Sequence, residues 1–470
     1  MSKVKVDFLN GKIFPKLFWY VLPIIATNFL QTFYNAADMM VVGLSDEVNA
    51  VGAVGATGVL VSLIVNLFIG FSVGANVVVA RHIGEQDETK VQNAVHTSLL
   101  MALTFGTLGM AVGILITRPV LALLGSTGSL LELAVTYCYI YLVAVPFLSL
   151  TNYLVAIFRA KGDSKTPLVV LTVAGALNVA LNSFFVLVLD MSVEGVAFAT
   201  VLSNVFSFVV LLIKLRRDKD WTTFSFKRLK FDKKEMREII RIGLPAGVEA
   251  TLFSIAGLIS QRSTMQVNNA FLQPGNEFQP IAAGTTAASS ICGFVYAAMC
   301  SVTQGAVTFT SQNIGAKKPR RIKPIMYNCY LLTVMLGVLF GGVVFLLREP
   351  LLGFYGVVDG AAGSLEAIAY DAATTLLTCI CLPYFLVGMM EVGGGVLRGL
   401  GKAMTTMGIS LFWSCLFRCV WLLTVFPLTP TLTTIYIVYP LASFLTAATS
   451  FTAIQVLIKK MLKEHEKNPT

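Results

Sequence analysis

KLRRDKDWTTFSFKRLKFDKKEMREIIR, residues 214–241, is the longest polar stretch of the chain. It carries eleven Lys or Arg and five Asp or Glu, with Trp221, Phe224, Phe226 and Phe231 spaced among them. On both sides the sequence changes character. Over all 470 residues 56% are hydrophobic and 13% charged, where an ordinary soluble domain has about 25% charged. The mean hydropathy is +0.77. A soluble fold would leave apolar patches far beyond the few hundred Å² that monomers tolerate. A β-barrel is excluded too, because its segments are about ten residues of alternating character. Here the apolar runs are about 20 residues or longer, as spanning helices require. The basic stretch is therefore read as an interfacial linker, its bases near anionic lipid and its aromatics at headgroup level. Nucleic acid is not an expected partner.

Working outward, six apolar runs lie on each side of the linker. They cover roughly 14–44, 53–80, 93–117, 133–158, 167–189 and 193–213, then 242–268, 280–312, 325–347, 368–397, 403–426 and 433–458. The positions of Lys and Arg test this count. With both termini cytoplasmic, 31 of the 35 fall on the inside, two (Arg118 and Arg348) outside, and two (Arg262 and Arg418) within helices. That is the positive-inside pattern, and moving the count by one span destroys it. The expected fold is all-α and integral to the membrane, with twelve transmembrane helices and both ends cytoplasmic. Residues 1–213 form an N-lobe, 214–241 the linker, 242–458 a C-lobe and 459–470 a cytoplasmic tail. The first apolar run is read as an uncleaved span, being too long for a signal peptide and lacking a small-residue cleavage site. The eight Cys are scattered through apolar runs and form neither a disulfide framework nor a zinc motif.

The halves echo each other. GANVVVARHIG (74–84) matches GAVTFTSQNIG (305–315), FRAKGDSKT (158–166) matches LRGLGKAMT (397–405), and YVLP (20–23) matches RIGLP (241–245). The offsets are close enough for one duplication with small insertions. Because six is even, both halves enter the membrane in the same sense. The lobes should be related by an axis along the membrane normal, which suits alternating access.

The chain resembles the multidrug and toxic compound extrusion (MATE) transporters of the wider flippase and exporter superfamily. The similar passages are LQTFYNAADMMVVG (30–43), GANVVVARHIG, FRAKGDSKTP (158–167), NVALN (178–182), GVAFAT (195–200), GLPAGVEA (243–250) and GGGVLRGLG (393–401). The resemblance implies export of organic cations or other amphiphiles in exchange for H⁺ or Na⁺, in two six-helix lobes that open alternately.

Five charged residues lie more than one turn inside the predicted helices: Asp38, Glu249, Arg262, Glu391 and Arg418. Each costs about 2.5–3.5 kcal/mol near a helix centre on insertion scales, so each is a functional candidate. Asp38 has Gln31, Tyr34 and Asn35 on adjacent turns. The resemblance implies a first-helix acid in a network with Asn178, Asn182 and Thr200, and a first-helix kink at Pro23. Many relatives carry Asp where this chain has Asn182, so a two-carboxylate relay is not expected and Asp38 must exchange the ion largely alone. Glu249 and Glu391 lie level at helical rise, each about 10–12 Å from the cytoplasmic boundary. They are expected to form a C-lobe ion site, holding one proton or a cation between them. In one bacterial branch of the family the equivalent acids fall about one turn away, near Phe253 and Val387. Arg262 and Arg418 are candidate gating charges. An Arg418 that faces the cleft would argue against purely cationic cargo.

The expected protein is thus a secondary active antiporter in a bacterial plasma membrane, acting on small organic molecules, with no cofactor beyond H⁺ or Na⁺, no metal and no obligate protein partner. The alternative on the same fold is a lipid-linked oligosaccharide flippase. A membrane enzyme is disfavoured by three scattered His, and ATP-driven pumping by the lack of a P-loop.

Overall fold

The computed structural model describes residues 7–42, 50–123, 128–269, 279–361 and 363–467. Among them are helices and connections but no strand. The spans are α1 (Ile13–Val42), α2 (Ala50–Glu85), α3 (Glu88–Leu123), α4 (Gly128–Ala160), α5 (Lys165–Leu187) and α6 (Val193–Arg217). The second half supplies α7 (Lys233–Asn269), α8 (Pro280–Gly315), α9 (Ile322–Leu346), α10 (365–399), α11 (403–424) and α12 (Leu432–Lys467). Eleven described helices are long and apolar enough to cross a membrane, and the twelfth, α10, is Leu365–Cys381 and Tyr384–Gly399 meeting at 42°. The bend falls at Pro383, which removes a backbone donor. It follows a π-helical turn at Leu377–Cys381. A second π-turn, Leu411–Phe417, interrupts α11. α7 begins two turns before its apolar run, so the end of the basic stretch is helical rather than linker.

Duplication is visible in the backbone. Gln86 and Lys317, 231 positions apart, have φ of 58° and 52° at the ends of α2 and α8. Gly162 and Gly401, 239 apart, have φ of 85° and 75° after α4 and α10. The latter two turns close with equivalent bonds: Asp163 N donates to Phe158 O (2.9 Å), and Lys402 N to Leu397 O (2.8 Å). These are six-to-one helix closures, which need a left-handed residue and favour glycine there.

The described chain falls into two compact units. The first holds 1–11, 19–251 and 311–318; the second holds 12–18, 252–310 and 319–470. Within the first, α2 crosses α7 through a GxxxG pair on each helix: Gly70 and Gly74 face Gly243 and Gly247. A Cβ on Gly70 would stand 2.2 Å from Gly247 Cα, and one on Gly74 2.4 Å from Ile239 O. Small residues let backbones approach closely where no hydrophobic force joins helices in lipid. The ends of α2 and α8 meet reciprocally. A Cβ on Gly84 would lie 2.0 Å from Gln312 O, and one on Gly315 1.9 Å from Arg81 O.

The basic stretch is folded against this unit. Lys161 is buried, with its Nζ bonded to Asp218, to Asp220 (3.1 Å) and to Thr222 Oγ1 (3.3 Å). His96 donates from Nδ1 to Gln92 O (2.7 Å), accepts at Nε2 from Ser225 N (3.1 Å) and stacks on Phe224. His82, on the other side of the α2–α3 turn, meets Glu85 (3.0 Å) and Glu235 (2.8 Å) through its two ring nitrogens. In the α2–α3 turn, the Lys90 backbone N–H and ammonium hold the half-exposed Asp87 carboxyl below its ordinary range. That carboxylate starts α3 as a helix cap should.

Candidate functional site

The first unit builds a polar chain across α1, α5 and α6. Asn178 and Asn182 are one helical turn apart, so both face the same way from α5, and both are buried. Asn182 Nδ2 donates to Asp38 Oδ1 and to Asn178 Oδ1 (3.3 Å). Asn178 Nδ2 in turn donates to Ser203 Oγ (3.4 Å), and Ser203 Oγ to Thr200 O (3.1 Å). Asp38 is half-buried. Among the described residues no Lys or Arg forms an ion pair with it.

Other expected members are distributed unevenly. Thr200 joins through its carbonyl, since its hydroxyl donates back to Val196 O (3.0 Å). Tyr34 Oη donates to Thr172 O (3.1 Å) and lies against Gly175, where a Cβ would stand 1.9 Å from its ring. Gln31 is exposed, and the side chain of Asn35 lies outside the described residues. Pro23 sits inside α1, with Thr27 Oγ1 donating to its carbonyl (2.8 Å). Ser203, which sequence reading passed over, links the amides to α6. Its only signal was a spacing of one turn from Thr200.

The second unit holds a partly open cavity of about 750 Å³, within the 300–1,000 Å³ range of drug-sized sites. Glu391 and Arg418 both line it, together with Tyr296, Tyr384, Tyr436 and Tyr439. Tyr296 Oη donates to Glu391 Oε1 (3.3 Å). Arg418 is 8% exposed and lies 4.0 Å over the Tyr439 ring. Phe253 and Val387, where the resemblance placed acids, line the same cavity as apolar residues. Glu249 is buried in the first unit, on the helix that carries Gly243 and Gly247. Arg262 is exposed on α7. The tyrosines and both π-turns were not legible as a site, because neither carries a charge or a motif.

A duplicated helical bundle with a lone acid among buried amides and a drug-sized cavity belongs to the class of membrane carriers. Comparison with known proteins makes this specific. The MatE family model matches residues 23–184 and 281–424, and the chain belongs to that transporter family. It is 26% identical over 404 residues to the probable multidrug resistance protein YoeA of Bacillus subtilis, covering 84% of this chain and 82% of that one. It is 22% identical over 402 residues to the multidrug export protein MepA of Staphylococcus aureus, covering 86% and 85%. The outward-facing structure of a multidrug resistance MATE family transporter of the MOP superfamily matches with a TM-score of 0.88 at 19% identity, covering 98% of this chain and 100% of that one. That likeness carries the fold: twelve helices in two lobes. The chain is a multi-pass membrane protein whose bacterial relatives fit the plasma membrane.

Proposed function

We propose that this protein exports organic amphiphiles across the plasma membrane in exchange for H⁺ or Na⁺, by alternating access, with both termini in the cytoplasm. The observation that carries the reading is Asp38. It is a carboxylate inside a spanning helix, bonded by Asn182 and facing no described cation. A charge so placed is costly unless something neutralises it. A proton or Na⁺ can do so and then leave. Cargo that displaces the ion would be coupled to its gradient. The amides hold the acid in place without titrating themselves. Glu249, buried in the first unit, and Glu391, lining the cavity of the second, are each proposed to contribute to coupling as separate acids. The relatives' names are those of multidrug proteins and lend no weight to the flippase alternative.

Ethidium efflux from loaded proteoliposomes, with pH and Na⁺ gradients imposed separately, tests this. Efflux driven by one gradient in wild type and lost in Asp38→Asn is the expected result, and it names the ion. Efflux indifferent to both gradients, or intact in the variant, removes Asp38 from the coupling. The same assay with Glu249→Gln and Glu391→Gln, each alone, decides whether either acid contributes.

A further inference from the structure

We propose that the cavity of the second unit binds an aromatic or apolar organic molecule through a carboxylate, with Arg418 as the anion anchor. A guanidinium stays charged at any physiological pH. At 8% exposure Arg418 is removed from bulk solvent. No carboxylate of the described residues pairs with it, and its Nε has no hydrogen-bond partner among them. Its one described contact is the Tyr439 ring, 4.0 Å away. Stacking of this kind leaves the in-plane donors of the guanidinium unused, and those donors match a planar carboxylate bidentately. A buried cation without a counter-ion is costly in any membrane protein. A carboxylate ligand supplies the missing charge.

Helix geometry supports the placement. The π-turn at Leu411–Phe417 ends directly before Arg418. An extra residue absorbed in a helix rotates everything after it by about 100° relative to a straight α-helix. Such turns recur at functional sites. The other π-turn, Leu377–Cys381, contributes Ile380 to the same cavity. Each π-turn of the second unit therefore contains or directly precedes a residue that lines this cavity.

The cavity selects among anions. Its size suits a drug-sized molecule, and the four tyrosines offer apolar faces with polar tips. Glu391 lines the same space. A phosphate bearing two charges would meet one cation and one acid, a poor balance. A monocarboxylate meets Arg418 at lower electrostatic cost. The inference extends the exporter reading by giving its cargo an acidic group, but binding can be measured without any ion gradient.

Binding of 1-pyrenebutyrate to the full-length protein in detergent, followed by fluorescence anisotropy, tests it. The neutral 1-pyrenebutanol serves as comparison. Wild type should bind the acid at least tenfold more tightly than the alcohol. Arg418→Gln should abolish the difference, and Arg418→Lys should retain part of it. Glu391→Gln should tighten binding of the acid several-fold, a gain that damage to the fold cannot produce. Equal affinity of wild type for acid and alcohol overturns the proposal, as does a Glu391→Gln variant that binds the acid more weakly. In nanodiscs, displacement of the acid by phosphatidylglycerol at a few mole per cent, with none by phosphatidylcholine, would assign the site to a lipid phosphate and overturn it as well. A failed Asp38 efflux test leaves these outcomes unchanged, so the two readings fail separately.

Discussion

A charged side chain at a helix centre costs about 2.5–3.5 kcal/mol in a membrane, and this protein meets that cost differently in its two units. Asp38 is held by an amide ladder, whereas Arg418 leans on a tyrosine face. The ladder should show its order in function. Asn182 donates directly to the carboxylate, a charge-assisted bond worth about 1.5–3 kcal/mol, while Asn178 makes only neutral bonds of about 1 kcal/mol. Asn182→Ala should therefore reduce gradient-driven efflux at least tenfold, and Asn178→Ala only a few-fold. Initial rates in proteoliposomes decide this, and the reverse order would exclude a ladder centred on Asp38. The sequence displayed Asp38, Asn178 and Asn182 plainly, because ionisable and amide groups are rare in apolar helices. It did not display Ser203, since a hydroxyl one turn from a threonine is commonplace. Nor did it display what Arg418 touches, since Tyr439 lies on a different helix.

At the scale of elements, the repeat was readable in letters, and the structure gives the reason those letters persist. Gly162 and Gly401 both take a left-handed backbone to finish a helix. Replacing each by Ala should cost about 1–2 kcal/mol, by the penalty for a Cβ in that region. Thermal unfolding in detergent, read by size-exclusion chromatography, should show losses of similar size in Gly162→Ala and Gly401→Ala. A variant as stable as wild type would mean that the turn relaxes to another conformation. The π-turns had no such signature. A π-turn arises from tertiary packing around one surplus residue, and LFWSCLF reads as an ordinary apolar run until its neighbours are in place. The early start of α7 escaped for a related reason. Its first two turns are charged, and apolarity alone cannot mark where a helix begins outside the membrane.

For the whole molecule, the charge distribution makes a prediction that the fold does not. With 31 of 35 basic residues on one side, both termini should face the cytoplasm. A cysteine at Leu428, in the exposed turn between α11 and α12, should react with an impermeant maleimide on intact cells. One at Lys460 should react only after lysis. Labelling in the opposite sense would invert the topology. Twelve spans and two equivalent halves were open to reading, because helix length and charge asymmetry are properties of single segments. The packing of α2 on α7 through paired glycines was not, since it depends on which segments meet.

The reciprocal approach of Gly84 to Gln312 and Gly315 to Arg81 bears on descent. Each residue of one copy meets the counterpart of its own partner in the other, which is how a two-fold interface is built. The chain thus holds within one backbone the self-complementary kind of contact that joins two like copies. Once the copies were joined, each could change without its twin. One was then free to specialise in an acid among amides and the other in an arginine over a tyrosine.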